Sequence, residues 1–234
     1  MKRMSLFLLI VCLLLAGCTV SQKANIVPTT EGSAETAALG TEDATFTVQT
    51  ESTQIIVPLP DTTMENLTDA ILSVSLAEGD AYVDDTGKMQ MALKIYSYDQ
   101  YDMVDIANLK VGDTLIRHSG EVEVISLEQN ESGRIFINGG LDNGGFELVT
   151  DEHGIFYEMG YNDHKNWYQV GAATIRVSAD FEGLDSADLE QGEVIIYPGD
   201  FLIGAVTNYD FTPYNTTIRT ENGQIVEINR RFIP

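Results

Sequence analysis

The chain has 234 residues, 44% of them hydrophobic and 21% charged, a balance that suits one large or two small globular domains and excludes an extended disordered polymer. Thirteen Lys and Arg face 36 Asp and Glu, a formal net charge of −23. Nucleic acids and anionic lipid headgroups are held by clustered basic side chains, so neither is expected as a partner of the folded surface.

At the start, Lys2 and Arg3 precede an apolar run from Leu6 to Ala16 that is interrupted only by the small thiol of Cys12. Coiled as a helix, the run would span about 16 Å, whereas crossing a bilayer core takes about 20 apolar residues. It therefore reads as the hydrophobic region of a cleaved signal peptide, residues 1–17. The run ends in Leu15-Ala16-Gly17-Cys18, which resembles the lipobox of bacterial lipoproteins. That resemblance implies cleavage between Gly17 and Cys18 and attachment of diacylglycerol to the Cys18 thiol, with further acylation of the palmitate type. Each buried CH₂ contributes about 0.8 kcal/mol, and two or more chains anchor stably where one is marginal. The expected location is the cell membrane, lipid-anchored and facing outside the cytoplasm. Cleavage removes Lys2, Arg3 and Cys12, leaving 11 basic against 36 acidic residues and no unmodified thiol. Cysteine nucleophiles, cysteine-ligated zinc and disulfides are thereby excluded.

Residues 18–45 are rich in Thr, Ser, Ala, Gly and Glu and lack aromatics and periodicity, the composition of a flexible tether about 30 Å in typical reach. From Phe46 onward, residues 46–234 read as a single β-rich domain. Its expected fold is mainly β, an antiparallel barrel or sandwich with one or two short helical turns. Leu59-Pro60-Asp61-Thr62-Thr63 nearly matches a sortase signal, but its fifth residue and early position fit a proline-punctuated connection instead. Ala70, Leu72, Val74 and Leu76 alternate with Ile71, Ser73 and Ser75. Met89, Met91, Leu93 and Ile95 alternate with Gln90, Ala92 and Lys94. Both runs predict strands, joined by a turn-rich connection through residues 78–88. Met103, Ile106 and Leu109 recur three apart, enough for one or two helical turns. Val111-Gly112-Asp113-Thr114 and the run after it resemble the hairpin opening of small bacterial β-barrels.

Short apolar beats follow, divided by Ser119-Gly120 and residues 130–133, and then Phe146–Val149, Ile155–Tyr161, Trp167–Val170 and Ala173–Val177. Such spacing suggests a sandwich or barrel. Asp200 is placed to cap a short helix over Phe201–Val206. Asn222-Gly223, between alternating runs, predicts a tight hairpin whose second strand carries Ile225, Val226, Ile228 and Phe232, with Glu227 and Arg230 facing elsewhere. The segment Met89–Gly140 and the final 21 residues are similar to uncharacterised secreted proteins of Gram-positive anaerobes, a resemblance that implies no activity.

Candidate chemistry is sparse. His118, His153 and His164 each fall at a predicted turn, and a shared metal would require those loops to converge. No hydrolase, phosphate-binding, zincin or dinucleotide motif occurs, so no catalytic residue and no cofactor are expected. Acidic groups gather as Asp80, Asp84 and Asp85, as Asp99, Asp102 and Asp105, and as Asp180, Glu182, Asp185, Asp188 and Glu190. Asp180, Asp185 and Asp188 are the candidate calcium ligands, although no acidic run has EF-hand spacing. Trp167, the only tryptophan, lies with Tyr161 and Tyr168 in "YEMGYNDHKNWYQV". These rings make either a platform for sugars or peptides, or strand core. The function expected from these features is a non-enzymatic extracytoplasmic binding or envelope-interaction module, with an envelope glycan or protein as partner. The alternatives are a two-carboxylate hydrolase of carbohydrate or peptidoglycan, and a calcium-stabilised adhesion protein.

Overall fold

Period-two alternation puts Leu72, Val74, Met91, Leu93 and Ile95 on one buried surface, while Ile71 and Lys94 face solvent. A computed structural model describes residues 52–206 and 210–233, all within one compact unit, Thr50–Pro234, and their regular structure is mainly β, with two short helices. The expected signal peptide, tether and Cys18, and the expected domain start at Phe46, lie outside the described residues.

Five strands make a barrel: β2 (Ala70–Ser75), β4 (Met89–Ser97), β12 (Tyr168–Ser186), β14 (Thr216–Glu221) and β15 (Gln224–Arg231). Their order is β12-β15-β14-β2-β4, and a second pairing of β12 with β4 closes the ring. In chain order the neighbours run first, second, third, fifth, fourth and back to first. This is the connectivity of the OB-type Greek-key barrel. Every pairing is antiparallel except β12 with β15. Two short strands, β3 (Ala81–Val83) and β13 (Val194–Ile196), extend the sheet at its edges.

The long connection expected after β2 thus contains a strand, β3, which folds back on β4 through the turn at residues 84–88. The runs Trp167–Val170 and Ala173–Val177 are likewise one 19-residue strand, not two. Irregularities between Gln169 and Gly171, and between Val177 and Glu182, bend β12 so that its first half pairs β4 and its second half pairs β15. Helix α2 (Pro198–Leu202) begins earlier than expected. Pro198 occupies its first turn, and Asp200 reaches back to accept the Tyr197 amide at 2.7 Å. Its Phe201 enters the barrel core between Phe181 and Phe211, with ring centres 6.3 and 5.8 Å away. Arg230 also departs from expectation. It shares the inward face of β15 with Ile228 and is buried against Asp185, its guanidinium 4.4 Å from the Phe211 ring centre.

A second module fills the connection between β4 and β12, residues 98–167. It contains β5 (Gln100–Tyr101), α1 (Met103–Ala107), β6 (Thr114–Arg117), β7 (Gly120–Glu123), β8 (Leu127–Gln129), β9 (Ile135–Ile137), β10 (Phe146–Thr150) and β11 (Phe156–Met159). It borrows β1 (Ile55–Ile56), which pairs β6 in parallel. One sheet is β1-β6-β7 and the other is β5-β11-β10-β9-β8. Ile56, Leu115, Ile137, Phe146 and Leu148 form a core separate from that of the barrel. Tyr101 lies fully inside it, donating its hydroxyl to the Ile116 carbonyl at 3.0 Å. The module leaves and re-enters the barrel at adjacent points, since Ser97 pairs with Tyr168. Such proximity lets an insertion fold without prising its host apart.

Candidate functional site

Two inward charges in the inserted module define the site. Arg117 shares a strand face with Leu115, and Glu158 shares one with Phe156, so period two carries both toward the interior. Buried charge is tolerated only when paired. Arg117 Nε donates to Glu158 Oε2 at 2.6 Å, and Nη2 donates to Oε1. The Asn166 side-chain amide donates to Oε1 at 2.6 Å, and the Arg117 guanidinium lies 4.5 Å from the Phe146 ring centre. This network is the floor of a cleft of about 590 Å³.

One wall of the cleft belongs to the inserted module. A 3₁₀ turn, Tyr161–Asp163, follows β11 and is held by Arg134, which donates to Asp163 at 2.9 Å and to Glu147 at 3.0 Å. Tyr161 projects from it, 76% exposed. His164, Lys165 and Asn166 continue the wall. The opposite wall is the barrel segment Asp210–Asn215. Asn215 organises it, accepting from the Thr212 amide, the Thr212 hydroxyl and the Thr216 hydroxyl, and donating to the Asp210 carbonyl at 2.7 Å. The half-exposed Tyr214 ring meets His164 across the cleft at 5.5 Å between centres. Asp210 and Asn215 also line a second depression of about 500 Å³, beside the Asp185–Arg230 pair and Phe232, so the two hollows adjoin.

Behind the wall, Lys165 sits among three rings. Its ammonium donates to the Tyr98 hydroxyl at 2.6 Å and lies 3.8, 5.1 and 5.8 Å from the ring centres of Tyr98, Tyr157 and Trp167. Tyr98 packs edge-on against Trp167 and Tyr157. Cation–π attraction at a half-buried site contributes about 1 kcal/mol, and here it ties the two ends of the insertion, Tyr98 and Trp167, to Tyr157 of β11.

Of the three aromatic candidates, only Tyr161 reaches the cleft. Trp167 is half-buried in the lysine cage. Tyr168 stacks on His118 with ring centres 4.0 Å apart, and burial together with the Asp99 carboxylate pushes its phenol up to about 12. The histidines do not converge. His118 is tied by Nδ1 to the buried Asp99 at 2.9 Å, His153 is an exposed turn residue, and His164 lines the cleft.

The acidic runs resolve largely into local roles. Asp80 and Asp84 accept amides of their own turns, and Asp102 caps α1 through the Val104 amide. Asp188 accepts from Glu190 and Gln191, Asp185 pairs with Arg230, and Asp180 lies apart beside Glu182 and Arg219. Among the described residues, no three His, Cys, Asp or Glu side chains gather closely enough to hold a metal ion. Sequence reasoning missed Arg117, Glu158, Asn166, Asp210, Thr212, Tyr214 and Asn215. The available signal was the pair of charges at inward strand positions; the loop residues gave none.

No protein family, no curated protein and no solved structure matches the chain.

Proposed function

We propose that the chain is a lipid-anchored, extracytoplasmic binding module, non-enzymatic, whose ligand occupies the cleft between the barrel and its inserted module. The observation that carries the reading is the construction of that cleft. Exposed aromatic rims stand over a polar floor whose charges are already paired. Among the described residues, no buried side-chain polar atom lacks a hydrogen-bond partner. An internally hydrogen-bonded recess suits recognition, because its polar floor needs no rearrangement on binding.

Glu158 and Asp210 both line the cleft, which is the arrangement a two-carboxylate hydrolase would need. Glu158 nevertheless spends both oxygens accepting from Arg117 and Asn166, so its carboxylate is engaged within the floor and not directed at a ligand. This chemistry favours binding over hydrolysis.

The anchor reading rests on Leu15-Ala16-Gly17-Cys18. Among the described residues no helix is long and apolar enough to cross a membrane. Cys18→Ser should move the protein from the membrane to the soluble fraction, and persistence in the membrane would refute the anchor. The Cys18→Ser protein should then co-sediment with isolated envelope fragments, and Asn166→Trp, which fills the cleft, should abolish this. Undiminished co-sedimentation of Asn166→Trp would remove the cleft from the proposal.

A further inference from the structure

We infer that the ligand of this cleft is a neutral oligosaccharide, an inference that rests on the cleft being the binding site. Charge is the first argument. The chain as a whole carries −23, yet the cleft is lined by two basic side chains, Arg117 and Lys165, and two acidic ones, Glu158 and Asp210. Arg117 and Glu158 neutralise each other, and Lys165 is turned into its ring cage. The site thus directs no free basic head at an anion, since the Lys165 ammonium is held by the Tyr98 hydroxyl and the rings, and the surrounding acidic field repels one. A cation would find only Asp210.

Side-chain chemistry is the second argument. Tyr161 and Tyr214, 76% and 49% exposed, line opposite walls, and Asn166, Thr212 and His164 supply polar groups between them. A pyranose has the matching character, with apolar C–H faces that stack on rings and equatorial hydroxyls that bond to amides and hydroxyls. The backbone segments that carry the two rings are held before any ligand arrives, the Tyr161 turn by the Arg134–Asp163 bond and the Tyr214 loop by the Asn215 network. Ordering them on binding therefore costs little.

Sheet topology is the third argument, and it separates sugars from peptides. An extended peptide is captured most readily by adding a strand to an open sheet edge. Here β11, which leads into the cleft, lies between β5 and β10, and β14, which leaves it, lies between β15 and β2. Neither has an edge to offer. Recognition therefore falls to side chains, and the volume of about 590 Å³ suits a short glycan segment.

Calorimetric titration of the Cys18→Ser protein decides the matter. The neutral probes are maltotetraose, cellotetraose and tetra-N-acetylchitotetraose. The charged controls are tetragalacturonate and the deacetylated chitosan tetramer, and a neutral tetrapeptide completes the set. At least one neutral tetrasaccharide should bind with a Kd below about 1 mM. Tyr161→Ala and Tyr214→Ala should each weaken that binding about tenfold, whereas Asp180→Asn, which lies apart from the cleft, should leave it within about twofold. Failure of all three neutral sugars to bind overturns the inference, as does tighter binding of a charged probe or the peptide. Loss of envelope co-sedimentation in Asn166→Trp would leave the cleft standing in that event. If a neutral sugar binds with full affinity to both tyrosine variants, the ligand lies elsewhere and the placement is wrong.

Discussion

Replacing Glu158 with Gln should destabilise the inserted module by about 3 kcal/mol. Glu158 is 3% exposed as a side chain and Arg117 18%, so the pair is shielded far more than the surface bridges that contribute about 0–1 kcal/mol. Opposite charges about 4 Å apart attract by about 4 kcal/mol at the effective dielectric suited to such sites. Glutamine keeps the shape and one acceptor but loses the charge, leaving a guanidinium under-compensated inside the protein. Removing one partner of a buried pair typically costs about 3–5 kcal/mol. For a domain of this size each kcal/mol moves the melting midpoint by about 2–4 °C, so Glu158→Gln should melt about 6–12 °C below the parent. Circular dichroism and calorimetry would follow it. The decisive comparison is Arg117→Met combined with Glu158→Met, which exchanges the pair for apolar groups. That double variant should lose less stability than either single substitution, because no charge is stranded. Single-variant losses that simply add, or a Glu158→Gln midpoint within about 2 °C of the parent, would show that the pair does not act as a buried unit.

Alkaline titration should find Tyr168 neutral well after an ordinary tyrosine has ionised, since burial and Asp99 raise it from 10.0 to about 12. A raised folded value means that its contribution to stability is intact below pH 10.0 and is lost as pH climbs toward about 12. Tyr168→Phe should flatten that loss, and an unchanged alkaline stability profile would refute the assignment. At the other extreme, the Thr86 hydroxyl, the Lys88 amide and the Gln90 side chain hold the Asp84 carboxyl well below its ordinary 3.8. Because the folded value is depressed, the turn keeps its bonds through the normal aspartate range and yields only in stronger acid. The Asp84 carboxyl carbon should show no NMR inflection between about pH 5 and 3, and an inflection near the ordinary value would contradict this. Adjacent glycines give a steric test: a methyl on Gly145 would lie 2.0 Å from the Ile137 carbonyl oxygen, while Gly144 has open space and a φ of +80°. By urea denaturation Gly144→Ala should cost about 1 kcal/mol and Gly145→Ala more than about 3 kcal/mol, with equal losses counting against the close approach.

The mainly β character was legible because a two-residue period is a local property. Leu72 to Leu76 and Met91 to Ile95 state which face is buried whatever partners they find. Asn222 and Gly223, at φ 50° and 71°, show the same for the hairpin between β14 and β15. Locality also explains the errors. Nothing near Ala81 announces that it folds back on β4. Nor does Val177 disclose that a bend will let one strand serve two neighbours. The inward charges were partly readable, since Leu115 with Arg117, Phe156 with Glu158 and Ile228 with Arg230 break the apolar pattern at core positions. Each such break asks for a partner without naming it.

The residues alone determined the mainly β class, the hairpin between β14 and β15 and the shortness of the helices, because these follow from side-chain period, capping and turn chemistry over a few neighbours. Tertiary structure decided the closure of β12 on β4, the insertion of one module into another, and the meeting of Glu158 with Arg117 and of Tyr161 with the Tyr214 wall. Those contacts join segments 41 or more residues apart. Their selection depends on which buried surfaces can pack together and which charges can be compensated, a property of the whole chain and of no stretch within it.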